Sequence, residues 1–302
     1  MPHTIDSSIL YTREDGTQGF VHDSYLDFFL GTYFSAQINS RQTTLKDVVD
    51  IIFSDKQGWG IMAMTIPKLD GKSTEEVQAL LEEMLQSDCP ESKRNAANLA
   101  GQVQVYVPGL ADALDYRIMD VNANKQVLSA AVWAIGECGY DGLTDRLKTL
   151  CKTDKVTGVS YPYRGVRLEA VRALVRLGKY RDLIEECNIW MDSSEEVREE
   201  AAKSLGRMGY EKKHQAPLMG LISDYPSELA SRSPGDYYTV RYEAISAFCN
   251  MLRIGNVDTE FINEVRARLF DMGTREFEHT VVKDKAREAL GQIEEYLVRK
   301  NG

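Results

Sequence analysis

Long apolar runs and basic excess are both missing from this sequence. No stretch is apolar and long enough to cross a membrane, and the N-terminus MPHTIDSSIL lacks the basic region and apolar core of a secretory signal. Against 46 Asp and Glu there are only 36 Lys and Arg, a net charge of −10. Because phosphate neutralisation usually needs a basic excess, a general nucleic-acid binder and a polybasic membrane surface are disfavoured. We expect a soluble, cytoplasmic protein.

Cysteine is scarce and follows no metal or disulfide spacing. The chain has five cysteines, an odd number, and never places two of them in a CxxC pattern. This usage is typical of reduced thiols in a cytosolic protein. We therefore interpret the cysteines as inert thiols, most of them in the core: Cys89, Cys138, Cys151, Cys187 and Cys249.

Signatures of catalysis are absent as well. The four histidines are far apart, with no HExxH or Cys/His metal spacing, and no GxSxG motif occurs. The segment KLDGKST resembles the end of a phosphate-binding loop, but position 66, where that loop needs glycine, is Ile66. We expect no enzyme activity, no metal and no cofactor.

A repeated helical pattern is what the sequence has in abundance. The segment VRLEAVRALVRLG, which starts at Val166, recurs almost position for position as VREEAAKSLGRMG from Val197. Weaker copies occur elsewhere, and the first small residue of each copy is separated from the next by 34, 39, 31, 43 and 42 positions. Such periods are typical of solenoids built from two-helix units. The six marker residues are Ala97, Ala131, Ala170, Ala201, Ala244 and Ala286.

A second amphipathic helix lies between successive copies. STEEVQALLEEMLQ begins with a capping box from Ser73 to Glu76 and continues with apolar residues three and four apart. Each pair buries its apolar face only by stacking on its neighbours, so the pattern predicts an all-α array of about six helix pairs. The other first helices are predicted to begin near Leu110, Asp141, Tyr180, Pro217 and Asp258.

The template VRxxAxxALxxLG resembles the second helix of HEAT repeats, over about residues 73 to 298. The resemblance implies that the second helices line a concave face. Two interpretations of its cations stay open: a ladder of salt bridges between neighbouring repeats through Arg167, Arg198 and Arg241, or a groove for phosphate or an acidic partner. The candidate residues of this face are Arg167, Arg172, Arg176, Arg198, Lys203 and Arg207.

Two long connections within repeats are rich in tyrosine and arginine, TDKVTGVSYPYRG from Thr153 and YPSELASRSPGDYYTVR from Tyr225. Loops of this length are uncommon and often functional, and both should emerge on the same edge of a solenoid. They form a candidate partner-binding rim, or they are tolerated insertions whose tyrosines cover the ends of the core. The rim residues are Tyr161, Tyr163, Arg164, Arg232, Tyr237, Tyr238 and Arg241.

The segment before the repeats has a different character. ILYTRE and TQGFVH flank Asp15-Gly16, which predicts a tight β-hairpin, and a helix then begins near Ser24. Aromatic residues cover so much of this helix that we expect it to be buried on more than one side: Tyr25, Phe28, Phe29, Tyr33 and Phe34.

This hairpin and helix resemble the end of the winged-helix domain of NACHT-type STAND NTPases. The matching residues are Phe20, His22, Ser24, Tyr25 and Phe28, whereas Leu26, Asp27 and Leu30 depart from the family pattern. QGWGIMAMTIPKL, with Trp59, resembles the helix that follows in such proteins. The resemblance implies that His22 contacts the phosphate of bound ADP, although the chain carries no phosphate-binding loop of its own.

These observations predict an all-α, HEAT-like α-solenoid of about six helix pairs, preceded by a short winged-helix remnant made of a β-hairpin and a helix. The expected domains are residues 1–39 (winged-helix remnant), 40–72 (helical adaptor) and 73–302 (repeats). We expect a non-enzymatic module that binds a protein partner or senses a ligand, similar to the C-terminal sensor of a NACHT-type STAND NTPase in defence or signalling. The NTPase domain would come from a missing N-terminal part or from another chain. The alternatives are a stand-alone HEAT-repeat scaffold and a HEAT-type enzyme such as a bilin lyase or DNA glycosylase.

Overall fold

Helices dominate the structure, a computed structural model that describes residues 10–12, 18–20, 23–53, 59–69, 71–115, 121–154, 156–157, 160–224, 238–275 and 278–301. The chain divides into two compact units, Met1–Tyr140 (unit 1) and Asp141–Gly302 (unit 2). Their boundary lies inside the segment predicted as one repeat domain. No helix within the described ranges combines the length and the hydropathy needed to cross a bilayer.

Unit 1 begins with two short strands, β1 (Leu10–Thr12) and β2 (Gln18–Phe20), which pair antiparallel with Leu10 opposite Phe20. The strands lie where the sequence predicts a hairpin, and the predicted turn residues Asp15 and Gly16 lie outside the described residues. Seven helices follow in the part of unit 1 that the structure describes: α1 (Asp23–Asn39), α2 (Leu45–Phe53), α3 (Trp59–Thr65), α4 (Gly71–Gln86), α5 (Pro90–Val103), α6 (Gly109–Leu114) and α7 (Val121–Glu137).

Unit 2 contains eight helices within the described ranges, which alternate between the first and the second helix of a pair. The second helices α9, α11, α13 and α15 pack on one another in chain order, and each also packs on the helix before it. This stacking of helix pairs is a helical-repeat arrangement. The helices are α8 (Thr144–Cys151), α9 (Arg164–Arg176), α10 (Tyr180–Glu185), α11 (Glu195–Met208), α12 (Gln215–Ile222), α13 (Thr239–Ile254), α14 (Thr259–Thr274) and α15 (Thr280–Asn301).

The repeated small residues mark the second helix of every pair. All six marker alanines are fully buried, one in each of α5, α7, α9, α11, α13 and α15. Small residues let these helices approach closely: a Cβ built on Gly206 of α11 would lie 3.1 Å from the Ala247 Cα of α13. The sequence period of 31 to 43 residues therefore corresponds to helix pairs, α4 with α5 through α14 with α15.

Four of the first helices are much shorter than their partners, a feature that the sequence pattern does not predict, whereas α4 and α14 have 16 residues each. The helices α6 and α10 have only 6 residues, and α8 and α12 have 8, whereas the second helices have 13 to 22. Short 3₁₀ turns at Asp141–Leu143 and Lys212–His214 lead into α8 and α12. The described helix α4 begins at Gly71, before the predicted cap at Ser73.

The N-terminal helix α1 packs on α3 through one face. The residues of that face are small or aliphatic and buried: Gly31, Ser35 and Ile38. Gly31 is required by the close approach, because a Cβ there would lie 2.6 Å from the Met64 Cβ. This contact anchors α1, and Lys68 adds contacts to Phe28 and Thr32 on the same helix.

Replacing Gly101 by alanine tests the close contact between α5 and α7. A Cβ at Gly101 would overlap the Trp133 ring, reaching 2.8 Å from its Cε3 atom. We expect Gly101→Ala to lower the free energy of unfolding by about 1–3 kcal/mol in urea titrations. At Gly291, inside α15, a Cβ would have no other atom within 4 Å. Gly291→Ala is therefore expected to raise that free energy by up to about 1 kcal/mol. Equal stability of Gly101→Ala and the parent chain would contradict the packing of α5 on α7.

Candidate functional site

A row of buried arginines joins consecutive repeats of unit 2. Arg167, near the start of α9, donates from Nε and Nη2 to the two carboxylate oxygens of Asp192, each at 2.8 Å. Its Nη1 donates to the Tyr161 carbonyl oxygen at 2.6 Å. Both side chains of the ion pair are buried, Arg167 at 5% and Asp192 at 0% exposure. This bidentate geometry orients the guanidinium and compensates its removal from water.

In each of the next two repeats an arginine again donates to one carboxylate and to one backbone carbonyl, but it contacts a single carboxylate oxygen. Arg198 donates to Asp224 Oδ2 from Nε at 3.0 Å and from Nη2 at 2.9 Å, and its Nη1 donates to the Asp192 carbonyl at 2.8 Å. Arg241 donates to Glu278 Oε1 at 2.9 Å and to the Asp224 carbonyl at 2.7 Å. Since Asp192 and Asp224 each accept from two arginines, the pairs form one continuous network, which we call the arginine ladder.

The ladder carboxylates also act on the helices that follow them. The backbone N–H of Ser194, next to the start of α11, donates to Asp192 Oδ1 at 2.7 Å. The backbone N–H of His279, next to the start of α15, donates to Glu278 Oε1 at 3.0 Å. A carboxylate close to a helix N-terminus is favoured by the helix dipole. Asp192 therefore connects the start of α11 to Arg167 of α9. Glu278 connects the start of α15 to Arg241 of α13 in the same way.

This geometry corrects two of the predicted site assignments. Arg241 was predicted to lie on the partner-binding rim, but its side chain is 1% exposed and paired with Glu278. Arg167 and Arg198 were predicted to line an exposed concave face, but the ion pairs with Asp192 and Asp224 hold them at 5% and 13% exposure. The salt-bridge interpretation of these three arginines describes the structure, since a buried charge needs a fixed partner.

Two of the four other predicted concave-face cations pair with carboxylates of their own helices. Arg172 donates to Glu169 at 2.8 Å, and Lys203 donates to Glu199 at 2.6 Å and to Glu200 at 3.3 Å. Burial raises the pKa of the nearby Glu243 carboxyl. Two more cations of the predicted set lie on the exposed surface: Arg207, whose guanidinium is 5.2 Å from the Tyr180 ring centroid, and Arg176. The charges alternate in sign, so this face has no uniformly basic patch within the described residues that would select phosphate.

The predicted rim is brought together only in part. Tyr161 and Tyr163 make an edge-to-face contact with ring centroids 5.5 Å apart, and the exposed Arg164 pairs with Glu196. Tyr238 stacks on His279 at 4.1 Å between centroids. These contacts bring each of the three tyrosines against a neighbouring aromatic ring. The remaining predicted residues, Arg232, Tyr237 and the phosphate-contact candidate His22, lie outside the described residues.

One cluster that the sequence did not predict has ligand types suited to a metal ion. Glu185, Glu211 and His214 bring their ligand atoms within 4.8 Å of one another. However, the Lys213 ammonium lies 2.9 Å from Glu185 and 3.1 Å from Glu211, where a cation between the two carboxylates would sit. Hydrogen bonds from Arg181 and then Lys213 lower the pKa of Glu211. The cluster is thus a satisfied ion-pair network whose members come from two segments, residues 181–185 and 211–214, that only packing brings together.

Helix α1 carries an exposed aromatic stripe, defined by Tyr25, Phe29 and Tyr33 at four-residue spacing. Their exposed fractions are 41%, 36% and 57%. Phe28 borders the stripe at 47% exposure, and the Lys68 ammonium lies 4.3 Å from its ring centroid. The aromatic content of this helix led us to expect burial on more than one side. Among the described residues, the fully buried positions of α1 lie on the side that packs on α3, and the stripe stays exposed, so it is available for contact with another protein surface.

Comparison with known proteins identifies no family. No family model matches the chain, and no curated protein matches it. Among solved structures, a designed armadillo repeat protein matches at 17% sequence identity with a TM-score of 0.46, over 72% of this chain and 99% of that chain. The helical-repeat fold is therefore established by the helix pairs of the chain itself.

Removal of one ladder carboxylate tests its structural role. Asp192→Ala leaves the buried guanidinium of Arg167 without its partner, and we expect the free energy of unfolding to fall by about 3–5 kcal/mol. The control Asp145→Ala, at a side chain that is 99% exposed, should stay within about 0.5 kcal/mol of the parent chain. Urea unfolding followed by circular dichroism measures both.

Replacing both residues of the pair by apolar ones shows whether Asp192→Ala is destabilised by an unpaired buried charge or by lost packing. In Arg167→Met/Asp192→Leu no charge is left buried, so the double variant should regain much of the stability that Asp192→Ala loses. If Asp192→Ala instead unfolds like Asp145→Ala, the arginine ladder does not hold the repeats together.

Proposed function

We propose that this chain is a non-enzymatic protein-interaction module whose α1 aromatic stripe packs against a partner, a NACHT-type STAND NTPase domain. That domain is supplied by another part of the same protein or by another chain. The repeats then act as the ligand-sensing or partner-sensing element. The exposed aromatic stripe of α1 is the observation that carries the proposal.

The stripe has the chemistry of an interface core. Tyr and Phe are enriched at the centres of protein interfaces, and contiguous exposed apolar patches are rare on monomeric proteins. Three aromatic side chains spaced four residues apart form one elongated surface on a helix. The charge content of this surface is low, because Asp27 is the only Asp, Glu, Lys or Arg between Tyr25 and Tyr33. A partner with a matching apolar face would bury the stripe.

The NTPase assignment of the partner draws on the family resemblance of the same segment. In NACHT-type STAND NTPases, the helix that matches α1 belongs to the winged-helix domain, next to the NTPase core. Packing of α1 on such a core would link the repeats to the nucleotide state of the NTPase. Binding at the repeats would then relieve autoinhibition, as the resemblance implies.

The double variant Tyr25→Ser/Tyr33→Ser tests this proposal. Both side chains are exposed, so the free energy of unfolding should change by less than about 0.5 kcal/mol. Loss of two aromatic anchors should abolish partner binding. In affinity purification with mass spectrometry, the parent chain should retain a protein that carries a phosphate-binding loop, and the double variant should lose it.

Phe270→Ser is the matched control, because Phe270 is 66% exposed but lies on α14 of unit 2. It should retain the same partner as the parent chain. Two outcomes would contradict the proposal. Equal recovery of the partner by the double variant would show that the stripe is not the interface, and a partner without any NTPase domain would favour a stand-alone scaffold.

A further inference from the structure

Unit 1 contains a groove of about 1030 Å³ between α2, α4 and α5. Its size is at the upper end of the range for small-ligand pockets, roughly 300–1,000 Å³. The groove lies on described residues of one unit, and its lining is distinct from the aromatic stripe of α1. It is therefore a separate surface, and its function does not depend on the partner proposed for α1.

Carboxylates dominate the rim of this groove. Four of them, Asp50, Glu82, Glu83 and Glu91, line it together with one ammonium group, that of Lys46. Asp50, Glu83 and Glu91 are exposed. Since these residues come from three different helices, the packing of the helices concentrates negative charge that the sequence distributes over about forty positions.

Cations of the protein itself neutralise these carboxylates only weakly. Glu83 pairs with Lys46 at 2.7 Å, but both side chains are more than half exposed, at 63% and 58%. Glu91 reaches Arg94 only at 3.4 Å. Exposed pairs of this kind contribute little free energy, so an incoming cation can replace them. Glu82 is different, because it accepts the backbone N–H of Gly109 at 2.9 Å and so supports the start of α6.

The floor of the groove is apolar and contains one unsatisfied acceptor. Val49 and Leu80 form part of the lining at 4% and 9% exposure, beside the half-buried Met84. Asn95 also lines the groove, and its Oδ1 accepts no hydrogen bond within the described part of the chain. The groove thus offers apolar contact below and negative charge at its rim.

We propose that this groove binds a short peptide segment of a partner protein that carries arginine or lysine together with aliphatic side chains. Charge complementarity selects the cations, and the Val49, Leu80 and Met84 floor selects the aliphatic groups. A phosphate-bearing ligand or nucleic acid is excluded by the four rim carboxylates. Peptide N–H groups and cationic side chains are also suitable hydrogen-bond donors for the rim carboxylates.

A fluorescein-labelled octapeptide of alternating arginine and leucine is the probe, and the same peptide with citrulline in place of arginine is its neutral counterpart. Fluorescence anisotropy with the full chain should show saturable binding of the arginine peptide, at least about tenfold tighter than that of the citrulline peptide. Binding should weaken as salt is raised from about 50 to about 500 mM, because exposed charges are screened.

Two groove variants shift the affinity in opposite directions. Asp50→Asn/Glu91→Gln removes two rim charges and leaves the Lys46–Glu83 pair intact, so binding of the arginine peptide should weaken about tenfold. Lys46→Gln removes the competing cation and should strengthen binding about threefold. Because the substituted side chains are exposed, we expect both variants to fold like the parent chain. Thermal unfolding of each variant checks this directly.

Glu75→Gln/Glu76→Gln is the matched control, since it makes the same charge change at exposed positions of α4 that do not line the groove. It should bind within about twofold of the parent chain. Equal weakening by control and groove variants would overturn the proposal, as would absence of saturable binding at millimolar peptide. Spermine that binds as tightly as the peptide would also overturn it, because the apolar floor would then contribute nothing.

Discussion

The arginine ladder is the constraint on which unit 2 depends. Three guanidinium groups lie in the interior, and a buried charge is tolerated only where a partner is held in fixed geometry. Each partner carboxylate precedes the next second helix, and two of them accept hydrogen bonds that fix where that helix begins. The pairs therefore set the register between consecutive repeats, while the buried alanines allow the helices to approach. Apolar packing alone would tolerate small shifts of one helix pair along the next, whereas buried ion pairs resist them, most strongly the bidentate pair of Arg167 with Asp192.

The repeat architecture could be predicted because its signal is periodic. The six marker alanines all lie on second helices, and the position of Arg167, Arg198 and Arg241 in the repeat indicated a ladder as one of two interpretations. The partners Asp192, Asp224 and Glu278 were not predictable, since they follow connections of different length, 25, 26 and 37 residues from their arginines. The acidic groove escaped prediction for a related reason: its carboxylates belong to three helices, and only packing brings them together. For α1, the pattern showed an excess of aromatic surface but not which face α3 would cover.

The two units use their polar and aromatic residues differently. In unit 2, most of the predicted site arginines form ion pairs within the chain. The described tyrosines of the predicted rim contact neighbouring rings. In unit 1, the aromatic stripe of α1 is exposed, and so are three of the four groove carboxylates, of which Glu83 and Glu91 make only exposed ion pairs. Groups that the fold does not need for its own stability are available for recognition. We therefore assign partner contacts first to unit 1 and a structural role to the charged positions of unit 2.

Hydrogen–deuterium exchange of the chain, alone and bound to its copurified protein partner, tests this assignment most directly. Exchange reports which segments lose solvent access or local opening when a surface is covered. The account predicts slower exchange in peptides that cover Asp23–Asn39, with little change in those that cover Arg164–Arg176, Glu195–Met208 and Thr239–Ile254. Slower exchange confined to these three second helices, with α1 unchanged, would contradict it and would place the interface on the repeat face of unit 2.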